Sequence, residues 1–272
     1  MHLILDPLQY EFVRNAIVVG ILTGILCPIV GAYLVVQRIA FLGDVVAHAV
    51  IPGVALSFFW KIDILFGAFV SGLLSTAVIS FLRDRARVKV DSAMMLTFSS
   101  FFALGILLIS VLDTNIDLES LLFGDILGVV AGDIWRTAIV AAIAIAFVKI
   151  FYKPLLFYTF DPLGAKAMGI PVNALSFGLM AMLTLTIIAS MQTVGVILVI
   201  SLLIGPSVTA YLFVKELHWM MSLGSLLGAT SVVAGIYLSY FWNWPSGPTI
   251  VLVSFCLFLA GVGVKKAKQL NH

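Results

Sequence analysis

The sequence predicts an all-α, polytopic integral membrane protein. Of its 272 residues 62% are hydrophobic and only 10% are charged, and the mean hydropathy is +1.18. A water-soluble domain of this length could not keep so much apolar surface away from solvent. The apolar runs are long enough to cross a bilayer as helices, and they lack the alternation of apolar and polar residues that is typical of outer-membrane strands.

Composition also excludes several classes of function. The formal net charge of +2 is small and scattered, which argues against nucleic-acid binding. No long polar stretch is present to form a second domain, so we expect residues 1–272 to be one transmembrane domain. Asp6 and Glu11 interrupt the N-terminal region, which does not resemble a cleavable signal peptide. Cys27 and Cys256 lie in apolar segments without metal-binding spacing and are expected to be buried, although Cys27 precedes the Asp44 region and could approach a transport path.

Five spans are predicted in the first half of the chain. The densest group of cations, in the loop at 83–89, places that loop in the cytoplasm by the positive-inside rule, and Lys153 marks the next cytoplasmic end. The segment 121–127 is too short to cross alone and is interpreted as a re-entrant or interfacial turn, in which Asp125 is more readily a cap than a pathway residue. The five predicted spans are residues 13–36, 43–60, 64–82, 93–111 and 134–151.

Four further spans are predicted in the second half. The first two are expected to form a tight hairpin that turns at Gln192 and Thr193. Lysines at 265–268 place the C-terminus in the cytoplasm, which gives nine crossings and an external N-terminus, or eight if residues 43–60 do not cross. His218, next to Trp219, is interpreted as interfacial rather than as a ligand. The predicted spans are residues 174–191, residues 194–214, a span that follows the inner loop at 215–218 and runs to about residue 241, and residues 250–264.

Proline and glycine predict interruptions in two of these spans. Pro52 and Gly53 should break the second span one turn after His48, and Pro206 should break the seventh. Interrupted spans are where transporters place binding sites, because the freed carbonyl groups can line a cavity. Outside the bilayer, Asp161 followed by Pro162 predicts the start of a two-turn helix that stops near Gly169. That helix suits docking to a partner, and a plain surface linker is the alternative.

Asp44 and His48 are the candidate metal ligands. A spacing of four residues places a carboxylate and an imidazole on one face of a helix. Together they can bind a divalent cation, and the carboxylate suits a hard ion such as Mn²⁺. An ordinary Asp–His hydrogen bond within the helix is the alternative. The apolar surroundings favour the functional interpretation, since ionisable residues in membrane spans are costly and commonly mark a substrate path.

The sequence holds no Gly-x-x-x-x-Gly-Lys-Ser/Thr loop for binding ATP, so we expect no ATPase site in this chain. Asp44 is nearly the only acidic residue predicted inside a span, whereas a self-sufficient proton-coupled carrier should hold several buried charges. Energy for transport is therefore expected from another subunit. A secondary carrier or channel that works alone, with Asp44 as its cation site, is the alternative.

These motifs resemble the membrane subunit of bacterial ATP-binding-cassette (ABC) importers for manganese, zinc and iron. The first and most specific of them holds Asp44, His48, Pro52 and Gly53. The similarity runs through most of the chain in the family's order. It is carried by residues 38–53 (RIAFLGDVVAHAVIPG), 160–169 (FDPLGAKAMG), 194–206 (VGVILVISLLIGP) and 245–249 (PSGPT).

The resemblance implies a type II-like permease in the cytoplasmic (inner) membrane of a bacterium. Such a subunit pairs with a second copy of itself, two cytoplasmic ATP-binding subunits and an extracytoplasmic metal-binding protein, within membrane lipid and without nucleic acid. No cofactor is permanently bound, and the transported ion is expected to be manganese rather than zinc or iron. Asp44 and His48 match the metal pathway. The coupling helix near residues 160–170 holds Asp161, Pro162, Gly164, Ala165 and Gly169.

Overall fold

The chain folds as a bundle of helices, and the computed structural model describes residues 9–112, 124 and 126–270. Within those ranges no β-strand occurs. The predicted turn at 121–127 falls largely outside them, as do Asp125 and the acidic stretch at 113–119; residues Ile126–Gly128 form a single 3-10 turn. The α-helices are α1 Glu11–Val36, α2 Leu42–Ala49, α3 Ile51–Trp60, α4 Ile64–Asp84, α5 Val90–Val111, α6 Ala131–Ile150, α7 Tyr152–Phe160, α8 Pro162–Ala167, α9 Val172–Val194, α10 Val196–Tyr211, α11 Leu217–Trp242 and α12 Ser246–Leu270.

Eight helical segments in the described ranges are long and apolar enough to cross a membrane, with α2 and α3 counted together as Leu42–Trp60. A ninth apolar helix, α10, has only 16 residues. The nine predicted spans thus all correspond to helices. The remaining helices, α7 and α8, are short; α7 begins at the predicted cytoplasmic end and contains Lys153, and α8 follows it. The all-α, polytopic fold predicted from the sequence is confirmed.

Burial divides the helices into an inner and an outer group. The segments α1 and α2–α3 are the most buried, whereas α5, α6 and α12 leave most of their apolar side chains exposed. Helix α1 packs most extensively against α11 and also contacts α10. Small residues permit this packing, since a Cβ atom on Gly24 would lie only 2.9 Å from the backbone of Gly228. The exposed outer helices fit contact with lipid or with other subunits.

The second span is broken just before Pro52 and Gly53, close to the predicted position. Helix α2 ends at Ala49, and α3 resumes at Ile51 with Pro52 in its first turn. Proline has no N–H to offer the carbonyl group of His48, so the helical hydrogen-bond ladder is interrupted there. The hydroxyl group of Ser71 on α4 donates to the carbonyl oxygen of Ala49 at 2.6 Å. The break is thus held in place by a side chain from a neighbouring helix.

The predicted interruption at Pro206 is wrong. Helix α10 continues through this residue from Val196 to Tyr211. Nearby hydroxyl groups bond to the backbone: the Ser207 Oγ lies 2.9 Å from the carbonyl oxygen of Leu203, and the Thr209 Oγ1 lies 2.8 Å from that of Gly205. Membrane helices tolerate proline when Ser and Thr side chains support the surrounding backbone in this way.

The turn between α9 and α10 also differs from its predicted position. Gln192 and Thr193 remain inside α9, and the chain turns at Gly195. Gly195 has a φ of 83°, a left-handed conformation that glycine adopts without the steric cost of a Cβ atom. The predicted hairpin is present, but it turns at Gly195, where the positive φ favours glycine, and not at the polar residues Gln192 and Thr193.

Close contact between α3 and α4 holds the second half of the broken span. A Cβ atom added to Gly53 would collide with the carbonyl oxygen of Gly67, and one added to Gly67 would collide with the Oγ of Ser57. The backbones of α3 and α4 therefore approach each other more closely than a residue larger than glycine would permit at these two positions.

We expect Gly53→Ala to destabilise the bundle by about 1–3 kcal/mol, the usual cost of overpacking. The measurement is the thermal unfolding midpoint of the purified protein in detergent. Gly132→Ala is the matched control, because a Cβ atom there meets nothing within 4 Å. Equal midpoints for the two variants would show that α3 and α4 are less tightly packed than described.

Candidate functional site

Asp44 and His48 lie on the same face of α2, as their spacing predicted. The Nδ1 atom of His48 is 3.4 Å from the Oδ1 atom of Asp44 and 3.0 Å from the backbone carbonyl oxygen of Asp44. The exposed fractions of the side chains are 17% for His48 and 28% for Asp44. A carboxylate and an imidazole are therefore held together, partly shielded but still open to an approaching ion.

The orientation of the His48 ring decides which nitrogen can bind a metal. The carbonyl oxygen of Asp44 can only accept a hydrogen bond, so Nδ1 must carry the hydrogen atom. In the neutral imidazole the lone pair is then on Nε2. Histidine ligands to metals commonly donate their second ring nitrogen to a carbonyl or carboxylate group, which fixes the ring. Here Asp44 supplies that acceptor and leaves Nε2 for the ion.

Two aromatic rings of α5 hold the other side of the imidazole. Phe98 and Phe102 meet the His48 ring edge to face, with ring centroids 5.1 and 5.6 Å away, and their own planes are nearly parallel. Phenylalanine at this spacing in an apolar helix resembles ordinary core packing, so this role could not be predicted from the sequence. These two contacts restrict the rotation of the imidazole about its side-chain bonds.

Among the residues that the structure describes, no third ligand of the same kind joins this pair. In the described ranges, no three His, Cys, Asp or Glu side chains come close enough together to hold a metal ion. Cys27 is buried as predicted, with its Sγ 3.9 Å from the Oγ of Ser190, whereas Cys256 is exposed and the prediction of its burial is wrong. His218 is exposed and paired with Glu216 at 3.4 Å, in keeping with an interfacial position. One chain thus offers a divalent ion two side-chain ligands at this place.

The short helix α8 has the caps that the sequence predicted. The Asp161 carboxylate accepts a hydrogen bond from the Gly164 N–H at 2.9 Å, and Pro162 occupies the first turn. A Cβ atom on Gly164 would collide with that carboxylate. Gly169 ends the segment with a φ of 77°, and Ala165 is completely buried. These contacts fix a six-residue helix that would be unstable alone.

Helix α8 presents apolar side chains outward. Leu163 is 82% exposed and Met168 is 67% exposed, although both are hydrophobic. Ala165, on the same helix, is fully buried, and α8 contacts both α7 and α9. A small, firmly seated helix with apolar residues on its free side is suited to insertion into a groove on another protein.

Comparisons with known proteins identify a family. The model of the ABC 3 transport family matches residues 9–265. The chain is 40% identical over 251 residues to the manganese transport system membrane protein MntC of Listeria monocytogenes, covering 92% of this chain and 90% of the relative. It is 37% identical over 260 residues to the chelated iron transport system membrane protein YfeD of Yersinia pestis, covering 96% and 88%. Among solved structures it is similar to PsaBC from Streptococcus pneumoniae in complex with Fab, with a TM-score of 0.86, 42% identity, and coverage of 95% and 94%.

The cap of α8 is open to a direct test. Asp161→Ala should cost about 1 kcal/mol of local helix stability, because the Gly164 N–H loses its acceptor. Amide hydrogen exchange in residues 162–168 should become faster, while exchange in α9 stays unchanged. Asp161→Asn is the control, since asparagine caps helices nearly as well as aspartate. Unchanged exchange in Asp161→Ala would mean that packing of Ala165 alone holds the helix.

Proposed function

The chain belongs to the ABC 3 transport family, and we propose that it imports manganese as the membrane-spanning permease subunit of an ABC importer. It is a multi-pass protein of the cytoplasmic membrane. Relatives at about 40% identity are named for manganese transport, and one at 37% is named for chelated iron. Manganese is the favoured cargo for this chain, with zinc and iron as competitors for the same path.

The observation that carries this proposal is the Asp44–His48 pair in one of the two most buried spans. A carboxylate oxygen and an imidazole nitrogen form a donor set that binds Mn²⁺ without the soft thiolates that favour zinc or copper(I). The same donors bind zinc more tightly than manganese by the Irving–Williams order. Selection between the metals therefore rests largely with an external binding protein that delivers the ion.

We infer that a second copy of the chain completes the site. One chain offers two ligands, whereas a two-fold axis beside α2 would bring together two carboxylates and two imidazoles. Four such ligands can replace much of the hydration shell of the ion. Binding must also be weak enough for release, as conduction through any pore requires. The Phe98 and Phe102 contacts would then orient each imidazole toward the shared ion.

We further propose that α8 couples the permease to a cytoplasmic ATP-binding subunit, with one such subunit for each copy of the chain. The exposed Leu163 and Met168 would enter a groove on that subunit, while Asp161, Pro162, Gly164, Ala165 and Gly169 keep the helix in shape. ATP hydrolysis belongs to the partner in this scheme, and metal delivery belongs to an extracytoplasmic binding protein. Membership of the family disfavours a carrier or channel that works alone.

The cargo and the pair are tested by manganese uptake in cells that lack their own importer. Wild type should restore uptake, whereas Asp44→Ala and His48→Ala should lower it by about tenfold or more at matched membrane levels. Asp91→Ala and His218→Ala are matched controls, since they remove an exposed carboxylate and an exposed imidazole elsewhere. Uptake of zinc but not manganese would overturn the proposal that manganese is the cargo. Normal uptake by both Asp44→Ala and His48→Ala would overturn the proposal that this pair binds the ion.

Two further variants distinguish the ring nitrogens of His48. The side-chain amide of glutamine reaches roughly where Nε2 lies, whereas that of asparagine lies near Nδ1. Because Nδ1 already donates to the Asp44 carbonyl oxygen, His48→Gln should retain measurable manganese uptake and His48→Asn should retain none. The reverse order would mean that Nδ1 binds the ion and that the ring turns during transport.

Coupling through α8 predicts a separate defect. Leu163→Asp should leave the permease folded, because this side chain is 82% exposed, but the assembled transporter should lose stimulation of its ATPase by metal-loaded binding protein. Leu163→Met is the conservative control and should behave like wild type. Full stimulation of the ATPase in Leu163→Asp would show that α8 is not part of the coupling interface. The proposal for the metal site would be unaffected.

A further inference from the structure

An apolar cavity of about 250 Å³ lies beside the break in the second span. Its walls come from three helices, α3, α4 and α5. Trp60 and Ile62 line it at the turn between α3 and α4, which is at the opposite end of α4 from the cationic loop at 83–89. By the positive-inside rule, the cavity therefore lies toward the outer side of the membrane.

The cavity is elongated and opens onto the surface of the bundle. Phe66, Val70 and Leu74 line it at intervals of four residues, so it follows α4 for about 12 Å at the rise of an α-helix. Leu104 and Leu108 line the opposite wall on α5 at the same interval. Val70 and Leu104, one on each wall, are 48% and 47% exposed. Because α4 and α5 are membrane spans, this opening faces the hydrocarbon of the bilayer.

The lining favours a hydrocarbon chain over water or an ion. Among the described residues that line the cavity, none is charged. Apolar cavities do not hold ordered water, because water needs several polar partners. An empty cavity is also unfavourable, since the atoms around it lose their van der Waals contacts. A cavity that opens into the bilayer is therefore filled by lipid chains.

One polar group in the lining lacks a partner. The side chain of Ser57 is completely buried, and its hydroxyl group forms no hydrogen bond with the described residues. Such a group gains from a ligand that brings an acceptor. Ser57 is three residues before Trp60, whose side chain is 62% exposed and suits the membrane interface. At this depth, just inside the interface, a phospholipid carries its ester groups.

We propose that the cavity holds one acyl chain of a phospholipid from the outer leaflet, and that the ester carbonyl oxygen of this chain accepts a hydrogen bond from the Ser57 hydroxyl. The ester end lies below Trp60, and the chain runs along α4 toward Leu74. The two exposed walls, on α4 and α5, enclose it from either side.

A chain bound there packs against the break in the second span. Pro52 and Gly53 are part of the lining, and so is Ser71, which donates to the carbonyl oxygen of Ala49 at the break. Loss of the lipid would leave a void beside these residues and lower the stability of the bundle. This inference does not depend on the proposed metal path or on the coupling role of α8, so it can fail without them.

The test uses the assembled transporter, freed of loosely bound lipid in detergent and then given dioleoyl phosphatidylcholine, with retained lipid counted by native mass spectrometry. Wild type should retain one lipid for each copy of the chain. Val70→Trp places an indole in the cavity and should reduce retention by about tenfold, which corresponds to about 1.4 kcal/mol. Leu252→Trp is the matched control, since Leu252 is a similarly exposed apolar residue of α12 outside the lining. Leu104→Trp, on the opposite wall, is a second variant if Val70→Trp does not assemble.

The ester group is tested with an ether-linked phosphatidylcholine, which has the same chains but no carbonyl oxygen. Wild type should retain the ester lipid in preference to the ether lipid. Ser57→Ala should retain the two equally, because it has no hydroxyl group to donate. Added ester lipid should also raise the thermal unfolding midpoint of wild type and of Leu252→Trp, and should raise it less in Val70→Trp, where the indole already fills the cavity.

Equal retention of lipid by wild type and the tryptophan variants of the lining would overturn the proposal. Separation of two copies of the chain in Val70→Trp, with lipid retention unchanged, would also overturn it and would show that a second copy covers the cavity. If wild type shows no preference for the ester lipid, the proposed hydrogen bond from Ser57 is wrong.

Discussion

A carboxylate inside a membrane-spanning helix costs about 2.5–3.5 kcal/mol at the helix centre relative to an apolar residue, and the fold accepts this kind of cost at Asp44. Three features moderate this cost. The His48 imidazole lies 3.4 Å away, the pair is partly exposed, and the break shortens α2 to eight residues. A cost of this size supports the proposal that the pair has a function in transport. The pair lies in the second span, which is interrupted after α2 and enclosed by other helices.

The enclosure depends on small residues and hydroxyl groups rather than on large apolar side chains. Gly53 and Gly67 bring α3 against α4, Ser71 satisfies the carbonyl group at the break, and Gly105 lets α5 approach Ile51. Each contact fixes backbone near the pair without adding a charge or a competing ligand. As a result, the ring of His48 is constrained by Phe98 and Phe102 on one side and by its hydrogen bond to Asp44 on the other. The polar site is rigid because its apolar surroundings are closely packed.

Local features of this fold could be predicted from the sequence, and features that depend on distant contacts could not. Hydropathy located the spans, and the four-residue spacing correctly placed Asp44 beside His48. The Asp161 cap was also predictable, because donor and acceptor are three residues apart. The interruption at Pro206 was wrong because the outcome depends on hydroxyl groups and on packing against α1, which local sequence does not encode. Phe98 was missed for the same reason, since its partner lies fifty residues earlier in the chain.

Under the proposed function, communication between the Asp44–His48 pair and an ATP-binding partner needs a physical connection, and a cavity of about 410 Å³ at the end of the bundle near Arg83 offers a short one. Ile39, which leads into α2, and Pro162, which begins α8, line the same space. The bond from Gln37 to Thr159 joins the segment before α2 to the end of α7. This connection is short because it runs along one end of the bundle and does not cross its length. Helix α2 is only eight residues long and is separated from α3 by the break at Val50. The segment from Gln37 to Ile39 therefore leads directly into the short helix that holds Asp44 and His48.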